Sequence, residues 1–225
     1  MAKKVYLSPS DQTKNAYAYG NTTEAVQCGK IAAACKAALE RSGVEVKLGQ
    51  YDTMANRCAA SDAFKANLHV PIHTNAFNGK VMGTRMFCYS ANGRGMDACK
   101  AIFAQLAPIT PGTSENIKVN ADLYEVRVPA APTAYIECEF HDNPTSAKWI
   151  VENTGLIGET IAKGICNFLG VKFVPAKAEE PKPAEKPAEG KLYRVQVGAY
   201  AVRANAENML AKLKAAGFNG FIKQD

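Results

Sequence analysis

The chain has 225 residues, 47% of them hydrophobic and 21% charged, with a formal net charge of +6. That length holds one medium domain plus something small, and the composition is that of an ordinary soluble globular protein. No apolar run approaches the ~18 residues of a membrane-spanning helix, so no membrane partner is expected; nor is a nucleic-acid partner expected.

The first residues, Met1 to Lys4, enter a strand pattern at once, which leaves no room for a secretory signal. Synthesis in the cytoplasm without export by that route is therefore expected. In "VYLSPSDQ", residues 5–12, Val5 and Leu7 alternate with Tyr6 and Ser8, and Pro9 closes the run before a polar turn. A helix from about Asn21 to Arg41 carries Cys28, Ile31, Cys35 and Leu39 on one face, and Gly43 ends it. The pattern continues with a strand at 44–48, a helix near 53–65, a strand at 68–73, a strand at 84–89 and a helix near 94–107. A strand at 134–140 and a long helix over 147–169 close the series. Seven cysteines sit where apolar residues would, with no paired C-x-x-C spacing, and read as buried thiols.

Alternating strands and helices predict an α/β fold, a twisted and mostly parallel sheet flanked by helices. In such sheets sites form beyond the carboxyl ends of the strands. That end receives Asp11 and Gln12 from the first strand, His73 from "LHVPIHTNAF", and Glu137 and Glu139 from "AYIECEFHDNP". Glu24 opens a helix three positions after Asn21, so it suits either a site or a capping box. A strand-end histidine such as His73 has a bland reading as a hydrogen-bonded core residue, and Asp11 has one as a turn residue. His69 shares a strand face with His73 but stands about 13 Å away at ~3.3 Å per residue, which suits a structural role.

The Pro-, Ala-, Glu- and Lys-rich segment 176–190 cannot build a core and reads as a semi-rigid linker between a domain at 1–175 and a tail at 191–225. The tail carries six Lys/Arg against two Asp/Glu, which favours an anionic or polymeric partner. Val195 and Val197 alternate with polar residues, and Ala206, Met209, Leu210 and Leu213 form a helical stripe stopped by Gly217.

"VPIHTNA", "ADLYEVRVPAAPTAYIE" and "IECEFHDNP" together resemble the zinc-dependent N-acetylmuramoyl-L-alanine amidases, cell-wall hydrolases of bacteria and phage endolysins, over roughly residues 3–172. The resemblance implies a zinc ion held by His73 and Glu24, with Glu137 as the catalytic carboxylate. The family's first histidine falls on Asp11, which becomes the favoured third ligand, with Gln12 and His141 as alternatives. Glu139 takes the family's glycine position. The tail resembles the first half of a SPOR repeat, which implies a small βαβ unit with Gln196 and Tyr200 facing peptidoglycan glycan strands. A two-stranded fragment leaves apolar surface uncovered, so a homodimer through the tail is expected. The implied function is hydrolysis of the amide between N-acetylmuramic acid and L-alanine, by an endolysin- or prophage-type enzyme that reaches the wall after release. A degenerate domain that only binds peptidoglycan is the rival reading.

Overall fold

A computed structural model describes residues 2–113, 115–176, 196–215 and 217–223. The chain divides into two compact units, Met1–Ala176 and Lys177–Asp225. In the first, β1 (Lys4–Pro9), α1 (Glu24–Arg41), β2 (Glu45–Leu48), α2 (Met54–Phe64), β3 (Leu68–Asn75), β4 (Arg85–Cys88) and α3 (Arg94–Leu106) follow in order. A single 3-10 turn (Ala107–Ile109) leads to β5 (Asn116–Val119), α4 (Tyr124–Arg127), β6 (Tyr135–Phe140) and α5 (Pro144–Leu169).

The six strands form one sheet in the order β2-β1-β3-β6-β4-β5. All neighbours run parallel except β4 and β6, which are antiparallel. This is the α/β class expected from the alternating pattern. Side chains alternate across each strand. Val5, Leu7, Val70 and Ile72 therefore enter a core closed by α1, α3 and α5. Helix α5 packs on both α1 and α3. Its glycines permit that approach: a Cβ at Gly158 would come 2.6 Å from the Ile31 carbonyl oxygen, and one at Gly164 would come 2.5 Å from Ile102 Cα. All seven cysteines are buried free thiols.

Tyr6, Ser8 and His69 lie on the opposite face, under α2 and α4. Strand β5 and the single-turn α4 were not among the expected elements. Each is four residues long, and β5 is a half-exposed edge strand whose two apolar positions, Ile117 and Val119, make too short a run to stand out. Helix α5 starts at Pro144, three residues earlier than its apolar period suggests. Asn143 caps it by accepting from the backbone amides of Thr145 and Ser146 at 2.9 and 3.2 Å, and proline suits the first helical turn.

In the second unit the helix expected from the apolar stripe is present as α6 (Arg203–Ala215). The 176–190 linker lies, but for Ala176, outside the described residues, as does Val195. Residues 196–202 form no strand, and Gln196 and Tyr200 are exposed.

Candidate active site

At the carboxyl end of β1 the chain turns away from the sheet. Ser10 still donates its amide to the Ile72 carbonyl at 2.9 Å, but Asp11 leaves the ladder. Its carboxylate lies 4.0 Å from the Arg57 guanidinium of α2, and Arg57 also donates to the Pro9 carbonyl at 3.1 Å. Gln12 accepts from the Asn15 side-chain amide at 2.8 Å. The same amide donates to Glu24 Oε2 at 2.7 Å, while the Glu24 backbone N–H donates to the Asn15 carbonyl at 2.9 Å.

Glu24 is the first residue of α1 and is buried. The helix is capped by Thr23 without a side-chain hydrogen bond, so the capping-box alternative with Asn21 does not apply. The carboxylate turns instead to the sheet, where Glu24 Oε1 lies 3.0 Å from His73 Nδ1 and 3.4 Å from the Thr74 amide. Burial acts to raise the Glu24 pKa, but hydrogen bonds from His73 and Asn15 outweigh it, and the net shift is downward. For His73 burial acts downward, the Glu24 hydrogen bond and the Glu137 charge act upward, and the net shift is upward. The His73 ring stacks on Tyr135 with centroids 4.8 Å apart and 14° between planes.

Glu137 is the register partner of His73 on one side, across β3, and of Arg85 on the other, across β4. Its pKa is pushed up to about 7, first by burial and then by the Glu24 charge, with His73 and Arg85 acting against. One carboxylate oxygen, Glu137 Oε2, is buried without a hydrogen-bond partner among the described residues, and so is His73 Nε2. Such buried orphan groups are costly and mark a site awaiting an occupant. The structure thus brings together Glu24, His73 and Glu137, and sets Asp11 beside Arg57. His141 stands behind Thr74, with its Nδ1 3.0 Å from Thr74 Oγ1 and 3.1 Å from the Thr74 carbonyl, and stacks on Tyr17.

An imidazole and a carboxylate in direct contact, next to a second buried carboxylate, fit a small divalent cation in donor chemistry and charge. A different trio, Cys58, His69 and Glu125, has its ligand atoms mutually within 4.8 Å, and it is the one group of three His, Cys, Asp or Glu so gathered among the described residues. It does not fit a metal centre. Glu125 already pairs with Arg57 at 3.2 Å and His69 at 3.3 Å, and Ser8 donates to it, so a cation there would face a guanidinium. The trio is a buried ion-pair network, with Tyr6 stacked on His69. Asn15, Arg57 and Glu125 carry no sequence signal of their own, because each acts through a partner distant in the chain.

Residues 8–167 match the family model described as N-acetylmuramoyl-L-alanine amidase, and residues 175–224 match that of the SPOR domain. Among curated relatives, the sporulation-specific N-acetylmuramoyl-L-alanine amidase of Bacillus subtilis (strain 168) is 24% identical over 226 residues, covering 97% of this chain and 84% of that protein. N-acetylmuramoyl-L-alanine amidase CwlM of Bacillus licheniformis is 24% identical over 170 residues, covering 76% and 62% of the two chains. Among solved structures, the catalytic domain of CwlV, an amidase from Bacillus (Paenibacillus) polymyxa, superposes with a TM-score of 0.68 at 18% identity, covering 76% of this chain and 99% of that one. The amidase AmiC2 of Nostoc punctiforme gives 0.65 at 19% identity, covering 75% and 97%. At these identities the structural likeness is one of fold.

Proposed function

The chain belongs to the N-acetylmuramoyl-L-alanine amidase family, and from that premise we propose that it hydrolyses the amide bond between N-acetylmuramic acid and the L-alanine of the stem peptide in peptidoglycan. The observation that carries this reading is the environment of Glu137. A buried carboxylate with a pKa of about 7 and an unpartnered oxygen is poised for proton transfer near neutral pH.

On this reading Glu137 takes the proton of the attacking water and returns it to the leaving alanine nitrogen. Glu24 and His73 would hold a zinc ion, which when bound would supply Lewis acidity towards the amide carbonyl and towards water. Asn15 fixes the Glu24 carboxylate through Oε2, leaving Oε1 towards His73. Tyr135 fixes the imidazole plane by stacking. Asp11 would be the third donor, in competition with its pairing to Arg57 at 4.0 Å. The SPOR match at the C-terminal end supports attachment of the enzyme to glycan strands.

The test is incubation of the purified, zinc-loaded chain with sacculi, measuring newly exposed L-alanine amino termini beside bound protein. Release that disappears in Glu137→Ala supports the amidase. A second reading, a non-catalytic peptidoglycan binder, is favoured by the pairing of Asp11 with Arg57, which leaves Glu24 and His73 without a third gathered ligand. Binding to sacculi with no release of amino termini would establish it.

A further inference from the structure

Two residues beyond Glu137, the fully buried Glu139 makes no contact with the Glu24–His73 pair. Its carboxylate accepts instead from the Gly83 amide at 2.7 Å, the Gly112 amide at 2.9 Å and the Ser146 hydroxyl at 2.8 Å. Both oxygens are in use, so three donors from separate segments converge on this one carboxylate.

Its backbone has φ 65°, a left-handed conformation that side chains with a Cβ disfavour. The reason lies in the register. His73 pairs with Glu137 but Asn75 pairs with Phe140, so two steps along β3 match three along β6, and the extra residue makes a bulge at this point. The bulge returns Phe140 to the face that carries Glu137, where the Arg85 guanidinium lies 5.0 Å over its ring.

The two amides held by Glu139 belong to different segments. Gly83 leads into β4 and Gly112 leads towards β5. Because β4 is antiparallel to β6 with Arg85 opposite Glu137, both segments enter the sheet at the carboxyl end of β6, the end that carries the site. They also touch: a Cβ on Gly112 would come 2.1 Å from the Gly83 nitrogen. A single carboxylate therefore binds two loops at their point of contact.

We propose that Glu139 is a positioning residue that staples the segments entering β4 and β5 into one wall beside the Glu24–His73–Glu137 cluster, against which the substrate lies. The proposal rests on the amidase reading for the identity of the substrate, and on Glu137 rather than Glu139 for the chemistry.

The test uses the full chain, zinc-loaded, with Glu139→Gln and Glu139→Gly. Gln offers one acceptor oxygen in place of two, so one loop amide loses its partner. Gly removes the staple while tolerating the left-handed backbone, and serves if the Gln variant fails to fold. Amide exchange at Gly83 and Gly112 should quicken by about tenfold or more in both variants. With a soluble muramyl tripeptide, KM should rise by about tenfold while kcat changes less than about threefold. A collapse of kcat at unchanged KM would overturn the proposal by making Glu139 catalytic. A lowered melting temperature with unchanged KM would overturn it by making the residue merely structural, and unchanged exchange would remove the staple. Exchange needs no turnover, so an inactive parent chain, which defeats the amidase reading, is told apart from an absent staple.

Discussion

His73 and Glu137 sit opposite each other as register partners on β3 and β6, so that the imidazole and the carboxylate share one face at the carboxyl end of the sheet. Neighbouring parallel strands fix this relation through backbone hydrogen bonds, independent of side-chain rotamers. The two side chains can therefore be altered separately without loss of the frame.

Glu137→Ala should lower turnover by about 10²-fold or more while zinc stays bound, because a base is lost and not a ligand. His73→Ala should lose both. Metal content by atomic absorption beside amino-terminus release checks this, and a metal-free Glu137 variant would move Glu137 into the ligand set.

Asp11→Ala should weaken zinc binding by about tenfold or more, whereas Gln12→Ala should act only through Asn15 and cost less. Competition with a chromophoric chelator measures both. Equal affinities in the two variants would reject Asp11 as the third donor.

Metal-free protein should lose stability as pH rises from about 5 to 8. Glu137 is raised from 4.5 to about 7, first by burial, and His73 is raised above 6.5, where the Glu24 hydrogen bond overcomes burial. Both folded-state values exceed the unfolded ones, so the stability each contributes is complete below the unfolded value and fades as pH passes the folded value. Glu24, shifted down, contributes above 4.5 and loses its share only on acidification. For Glu137 the effect is of the order of 3 kcal/mol. Urea unfolding in EDTA across this range measures it, and Glu137→Gln should flatten the slope.

Arg57→Leu should destabilise the fold by about 3 kcal/mol, because Glu125 is left charged and buried. The guanidinium and carboxylate are only 3% and 2% exposed. Chemical denaturation gives the value. Arg57→Leu with Glu125→Leu together should recover much of the loss, and a double variant as weak as the single one would count against this account.

Apolar periodicity made the main strands and helices readable, because Val5, Leu7, Val70 and Ile72 face the same core that α1 closes. It did not single out β5, whose alternation runs over only four residues, Asn116–Val119, with Val119 exposed at the sheet edge. Placement of His73, Glu137 and Glu24 at one end follows from strand polarity and the start of a helix. The fate of Asp11 does not, since it depends on Arg57, a polar residue on the buried face of α2. Glu125 was equally hidden: a charged residue in a single helical turn reads as exposed until Arg57, His69 and Ser8 are seen around it. His69, expected to be structural from its distance along β3, is held in that network.

Strand β6 lies between β3 and β4 although it is the last of the six strands of this sheet to leave the ribosome. The nascent chain can lay β1, β2 and β3 side by side, with Glu24 and His73 in place, but the slot beside β3 stays open until Tyr135–Phe140 emerges. That insertion closes long loops before any contact rewards it, which makes it a slow step of folding. It also means that Glu24 and His73, the proposed ligands, come together before Glu137, the proposed base, joins them. On the proposed reading the amidase site would be complete only when the sheet is, and a chain halted before Tyr135 would carry Glu24 and His73 without Glu137.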